Sequence, residues 1–449
     1  MLAQTVLRFQ RRGARAHIRH LLKKQHPADV AKMLMELPVP LRGEMILLAG
    51  SPDMQADVLS ELDAEVAGRI ISMLEPEAVV IRIIEGMSSD DAAALLRTFP
   101  EDERARLLGL MRNEESEDVE GLLTYRTDTA GAMMTPDIFS LQEGVTVEEA
   151  IRALRDAREA REAETVFYIF VVNALEQLVG VISLRQLVVS NPKARLEDIM
   201  EREVVTVDAE TDREEVARVV EHYNFIAVPV VDEQRHLLGI ITVDDVLDVL
   251  REEATEDLLR MSGASDLPQR GTSILARLPG RITWMLTATL VAWVISWIVY
   301  GWAPVQGNSS DFVSPLSWLV LLPMLIVISI TMAMQAAAVA IGAVTLETIP
   351  TDAIWPYFVR ETGAGITMAV ACGGLSTLGL WVMLGLSVAW PLGLSVASGA
   401  AVASVLGSGI PLLLHRFHRD PTELGGVIVM CFAAISSSLC GLLVAHGLQ

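Results

Sequence analysis

The feature that most constrains this chain is the near-absence of charge from its last third. Residues 281–449 carry four basic side chains (Arg281, Arg360, Arg416, Arg419) and six acidic ones, whereas residues 1–280 carry 31 and 51. A water-soluble domain of that size covers itself with charged side chains, so this part is built for a bilayer. Five stretches reach the ~20 apolar residues that a crossing needs: 282–302, 316–344, 365–386, 390–414 and 424–444. With the acidic half inside the cell, all four basic residues lie on the cytoplasmic side and the external loops have none. The expectation is therefore a multi-pass protein of the inner or plasma membrane, with its amino end in the cytoplasm and its carboxyl end outside. A soluble enzyme, a secreted protein and a disordered chain are excluded. No nucleophile–base pair or metal-ligand cluster lies near the spans, so no enzyme is expected.

The acidic half supplies nearly all of the net charge of −22. Phosphate backbones seek basic patches, so nucleic acid is not an expected partner and cations are. Residues 1–25 are the exception, with Arg8, Arg11, Arg12, Arg15, Arg19, Lys23 and Lys24 and no acid. They read as a basic helix attracted to anionic lipid or to the acidic body, or as a frayed tail. Residues 26–133 are punctuated every twelve or thirteen positions by helix starts such as His26-Pro27, Ser51-Pro52-Asp53, Glu75-Pro76-Glu77, Ser88-Ser89-Asp90-Asp91 and Pro100-Glu101-Asp102. Each places a cap or an acid where a helix amino end favours it, which predicts an α-solenoid.

Residues 134–250 hold an internal repeat. Val145–Ala150 returns 66 positions later as Thr211–Val216, and Gly180-Val-Ile-Ser183 returns 59 positions later as Gly239-Ile-Ile-Thr242, with an insertion in the first copy around 157–163. Each copy reads strand, helix, strand, strand, helix, with the copies at 134–192 and 193–250. An acidic run follows into 251–280, read as a connecting helix. At helical spacing Asp245, Asp248, Glu252 and Glu256 share a face. That face is either a solvated surface or one bridged by hydrated Mg²⁺, which keeps its waters and takes one or two carboxylates.

The repeat resembles a tandem pair of CBS domains. With a helical domain before it and five spans at 281–449, the chain resembles the MgtE family of magnesium channels and transporters. The resemblance rests on Tyr125-Arg-Thr-Asp-Thr-Ala-Gly-Ala-Met-Met-Thr-Pro136, Pro229-Val-Val-Asp232, Gly239-Ile-Ile-Thr-Val-Asp-Asp-Val-Leu-Asp-Val-Leu250, Glu253-Ala-Thr-Glu-Asp257 and Asp420-Pro421. It implies a multidomain fold: an α-solenoid N domain, an α/β CBS pair and a polytopic α-helical membrane domain with five transmembrane helices. It further implies a homodimer that passes Mg²⁺ or another divalent cation inward and is closed by cytoplasmic Mg²⁺. Asp245, Asp248, Glu253, Glu256 and Asp420 match sensor positions, and Asp90 and Asp91 lie in the matching region of the helical domain. Thr242 and Asp245 match CBS positions that hold ATP or another adenine nucleotide; Ser183 and Gln186 stand there in the first copy.

The membrane half departs from the family pattern. Ser329-Ile-Thr-Met-Ala-Met-Gln335 stands where members carry Gly-Gly-Asn-x-Gly-x-Gln, and Ala434 stands where they carry a membrane-embedded Asp. The pore face then consists of Gly426, Met430, Ala434, Ser437 or Ser438, with Gln335, and no carboxylate falls inside a span save Glu347. The alternative function is a non-conducting or repurposed member acting as a Mg²⁺-responsive regulatory membrane protein.

Overall fold

The computed structural model describes residues 2–156, 167–264, 278–302, 315–345, 354–417, 419 and 421–447. The insertion around 157–163, Glu347 and Asp420 lie outside them. The chain forms two compact units, Met1–Arg251 and Glu252–Gln449.

The first unit begins with ten helices: α1 (Leu2–Arg11), α2 (Arg15–Leu22), α3 (Pro27–Glu36), α4 (Val39–Leu48), α5 (Pro52–Ser60), α6 (Ala64–Ile71), α7 (Glu77–Ile84), α8 (Ser89–Arg97), α9 (Glu101–Leu108) and α10 (Asn113–Leu123). The punctuation sets their starts. Ser51 Oγ accepts from the Met54 amide at 3.4 Å, and Asp63 Oδ1 from Val66 at 3.2 Å, so backbone donors at the first turn are satisfied locally. Behind the caps, Val30, Leu34, Leu37, Ile46, Leu59, Ile83 and Leu96 are buried in one continuous core.

A short helix, α11 (Ala130–Met133), leads into two three-stranded sheets. The first repeat contains β1 (Ser140–Gln142), α12 (Val147–Asp156), β2 (Tyr168–Val172), β3 (Leu178–Ser183) and α13 (Leu184–Val189), and α14 (Leu196–Ile199) leads into the second as α11 leads into the first. The second contains β4 (Val207–Asp208), α15 (Arg213–Tyr223), β5 (Ala227–Val231), β6 (Leu237–Thr242) and α16 (Val243–Ser262). In each sheet the first strand runs parallel to the second and the third antiparallel, and the succession strand, helix, strand, strand, helix is the one the repeat predicts.

The copies exchange backbone. Thr135, at the entry to the first, exchanges two amide bonds with Ile240 of β6 at 2.8 and 3.0 Å. Glu201, its repeat equivalent, does the same with Val181 of β3 at 3.0 Å. Gly180 and Gly239 make this approach feasible: a Cβ at Gly239 would sit 2.8 Å from the Thr135 carbonyl, and one at Gly180 would strike Met200. The glycine of the repeated motif is thus a packing requirement. The core of the second repeat is also continuous with that of the helical domain.

The second unit holds five long apolar helices: α17 (Pro279–Trp302), α18 (Pro315–Thr345), α19 (Ile354–Leu384), α20 (Leu386–Arg416) and α21 (Pro421–Gly447). Among the described residues, four are long and apolar enough to cross a membrane, and α21 contributes the apolar stretch Ile428–Cys440. α20 packs along α18, α19 and α21. One expectation needs correction. α19 begins at Ile354 instead of 365, which takes Arg360 and Glu361 into the helix. Glu361 is fully buried and accepts from Arg281 Nη1 of α17 at 2.6 Å. A carboxylate therefore does sit inside the bundle, tolerated because a guanidinium neutralises it in place. Arg281 is correspondingly a buried partner, 5% exposed.

Candidate cation sites

The first candidate site lies where two helix amino ends meet within the first unit. α8 places Asp90 and Asp91 in its first turn, and α16 places Asp244 and Asp245 in its own. Each helix end favours its own acids through its dipole and free amides. Folding then brings the two pairs together. Burial, reinforced by Asp91, lifts the Asp90 carboxyl from 3.8 to about 6. Burial, followed by the charge of Asp90, lifts Asp245 to about 7 against a hydrogen bond from Thr242 that holds it down. Asp91 is raised chiefly by burial, with Asp244 adding to it. Ser89 Oγ donates to Asp137 Oδ2 at 3.3 Å, adding a further carboxylate at the same helix end. Asp90 is 7% exposed, and its Oδ1 has no hydrogen-bond partner. A buried carboxylate oxygen left unpaired beside like charges is costly unless a cation sits with it. Among the described residues no group of three or more His, Cys, Asp or Glu side chains converges to ligate one ion directly. A hydrated divalent ion needs no such cluster, since it keeps its waters and takes only one or two carboxylates.

The other expected sensor positions fall elsewhere. Asp248 stays at the surface, its side chain 78% exposed and 3.8 Å from Arg251. Glu256 pairs with Arg260, and Glu253 is half-buried; both belong to the second unit. The shared face expected of Asp245 and Asp248 is divided in the fold, since only Asp245 turns toward α8. Asp244 and Asp137 are the members the sequence reading left out of its site. A first-turn acid pair on α16 was the available signal for Asp244, and nothing local marks Asp137.

Thr242 and Asp245 pair with each other. Thr242 is buried and its Oγ1 donates to Asp245 Oδ2 at 2.6 Å. Their repeat equivalents, Ser183 and Gln186, form a reciprocal capping box at the start of α13. The motif pair stands at the start of a helix in both copies, and in the first it caps that helix.

In the membrane unit, Gln335 is fully buried, and its Nε2 donates to the Gly263 carbonyl at 3.3 Å. Gly263 ends α16 with φ +81°, and a side chain there would strike the Trp284 ring. Leu259 and Ala264 pack on Val339 beside it. The end of α16 is thereby seated on α17 and α18. Along α21, Gly426, Met430, Ala434 and Ser438 are half-buried and Ser437 is fully buried. Ser437 and Ser438 donate to the Ala434 carbonyl at 3.1 and 2.8 Å. Ala333, Ala337, Ala403, Val429 and Ala433 close the seam between α18, α20 and α21. This region offers neutral oxygens only.

Comparison with known proteins agrees with this layout. Residues 25–128 match the MgtE intracellular N domain, 130–190 and 196–252 match CBS domains, and 322–443 match the divalent cation transporter domain of MgtE. The chain is 34% identical to "Magnesium transporter MgtE" of Thermus thermophilus over 99% of its own length and 98% of the relative's. It is 29% identical to the protein of that name from Bacillus subtilis, over 96% and 93%. The crystal structure of the cytosolic domain of the Mg²⁺ channel MgtE in complex with ATP is 40% identical, covers 55% of this chain and 99% of its own, and superposes with a TM-score of 0.52. The soluble part of a magnesium transporter does so at 32% identity, covering 56% and 98%, with a TM-score of 0.51. The chain belongs to the MgtE family of divalent-cation (magnesium) transporters, which are not enzymes.

Proposed function

We propose that the chain passes Mg²⁺ or another divalent cation into the cytoplasm across the cell membrane, as a homodimer with its amino end inside and carboxyl end outside, and that cytoplasmic Mg²⁺ closes it. The observation that carries the closing mechanism is the meeting of Asp90 and Asp91 with Asp244 and Asp245. An ion shared between α8 and α16 would hold the helical domain against the second CBS repeat and fix the start of the helix that leads to the membrane unit. Adenine nucleotide, as in the ATP-bound relative, would occupy the CBS pair near Thr242 and Asp245. Val188 and its repeat equivalent Leu247 are 66% and 54% exposed. Paired apolar positions related by the internal repeat suit a two-fold contact with a second copy.

A second reading is favoured by the neutral membrane seam: the protein senses Mg²⁺ without conducting it. Proteoliposomes with a divalent-sensitive dye separate the two. Expected are flux at low cytoplasmic Mg²⁺, closure as Mg²⁺ rises, and a closing concentration at least tenfold higher in Asp90→Asn/Asp245→Asn. Absence of flux from wild type at every Mg²⁺ concentration would overturn the transport reading in favour of the regulatory one.

A further inference from the structure

The amino-terminal helices α1 and α2 precede the matched family domain, which starts at residue 25. They are a built part of the first unit. Ala3 and Val6 of α1 and Ile18 and Leu22 of α2 are buried in the helical-domain core. Gly13, at φ +67°, makes the turn between them. With the apolar side anchored, the outer side carries Arg8, Arg11 and Arg12 at i, i+3, i+4, then Arg15, Arg19 and Lys23 at i, i+4, i+8, and Lys24. All seven are exposed. Among the described residues, only Arg15 has an acidic partner, Glu44 at 2.7 Å. A helix carboxyl end is served by one or two cations, so the dipoles of α1 and α2 do not account for this number. Residues 27–280 hold 24 basic and 51 acidic side chains, so this face is the basic pole of an otherwise acidic half.

We propose that α1 and α2 form a docking surface for the anionic phospholipid headgroups of the bilayer that the same chain spans. The proposal rests on the reading that places the amino end in the cytoplasm, where anionic lipid lies. A plane of phosphates matches a face of several cations in a way that one acidic side chain does not. The large apolar residues of both helices, Leu2, Leu7, Phe9 and Leu21, are turned toward the core. Nothing large and apolar remains to insert into the acyl region, so the contact is electrostatic and salt-sensitive.

The test uses the full chain in nanodiscs of phosphatidylcholine alone or with phosphatidylglycerol, and limited trypsin cleavage at Arg12, Arg15 and Lys24. Nanodiscs expose both faces, so the result is independent of orientation in the cell, which a reporter fused ahead of Met1 tests by itself. Cleavage should slow at least tenfold in the phosphatidylglycerol discs at low salt, and the difference should vanish at high salt. The variant Arg8→Gln/Arg11→Gln/Arg19→Gln/Lys23→Gln keeps the buried anchors and the three cleavage sites, and should lose the lipid effect. Its amide-exchange protection at Val6 and Ile18 should match wild type, confirming that the helices remain docked. Equal cleavage in both discs, whether fast or slow, overturns the proposal; equal slow cleavage assigns the face to acidic protein surface. Protection by added duplex nucleic acid but not by phosphatidylglycerol overturns it as well.

Discussion

Asp90 and Asp245 tie the stability of the first unit to pH. Both carboxyls titrate well above the ordinary 3.8, at about 6 and about 7. Between pH 4 and 7 the folded first unit therefore binds more protons than the unfolded chain, and its stability falls as pH rises through that window. Above pH 7 both groups are charged and the full penalty, a few kcal/mol for the pair, applies unless a cation offsets it. In chelator, the first unit of the full-length protein should thus unfold at its highest temperature near pH 5 and at a lower one at pH 8. Mg²⁺ should raise that temperature by several degrees at pH 8 and by little at pH 5. Asp90→Asn should raise the pH 8 value in chelator and shrink the Mg²⁺ increment, as calorimetry would record. A variant that melted lower and kept the whole increment would separate Asp90 from the ion. The sequence marks these aspartates as first-turn acids, a local property. That α8 and α16 face each other depends on the helical domain sharing a core with the second CBS repeat, which no helical periodicity encodes.

Elements were legible where their signals are local. Caps and prolines mark the starts of α3, α5, α7, α8 and α9, and the repeat gives the succession strand, helix, strand, strand, helix of both copies. The start of α19 was not legible, because Arg360 and Glu361 read as loop until Arg281, on a different helix, is seen to neutralise Glu361. Gln335 is likewise engaged by a residue far away in the chain: its Nε2 donates to the Gly263 carbonyl at the end of α16, and its Oε1 has no hydrogen-bond partner. That joint is testable. Ala at position 263 must adopt φ +81°, which costs roughly 1 kcal/mol or more for a non-glycine residue. Its methyl would also strike the Trp284 ring, lifting the helix end off α18 and breaking the Gln335 bond. Gly263→Ala should raise the Mg²⁺ concentration that half-closes the transporter several-fold while leaving the melting of the first unit unchanged. Gln335→Leu should move it in the same direction by removing the donor. An unaltered Mg²⁺ response in both would show that this joint transmits nothing.

At the scale of the whole molecule, a strongly acidic first unit is joined to a membrane unit with few charges, and the two would hold a divalent ion by different means. The first unit has carboxylates in excess; α21 offers none between Gly426 and Ser438. Neutral hydroxyls and carbonyls hold a hydrated ion by geometry, with little gain from its double charge. Wild-type flux should therefore discriminate poorly among Mg²⁺, Mn²⁺ and Co²⁺. Ala434 tests this, being half-buried while Ser437, one turn on, is fully buried. The Ala434 face is thus partly open, and in the dimer proposed above it would be available to line a shared path. Ala434→Asp would give a dimer two carboxylates facing one ion. At an effective dielectric of about 20, each attracts a divalent ion about 5 Å away by roughly 6–7 kcal/mol before desolvation is counted. The two also repel each other, so one holds a proton while the path is empty and releases it as the ion enters. The mutant should consequently discriminate among the three ions more sharply than wild type and lose flux as pH falls. If selectivity and pH response stay those of wild type, α21 does not line the path. If neither protein conducts, even with the cytoplasmic unit removed to eliminate gating, the seam of Ala333, Ala403, Val429 and Ala433 is a permanent seal and the molecule is a sensor.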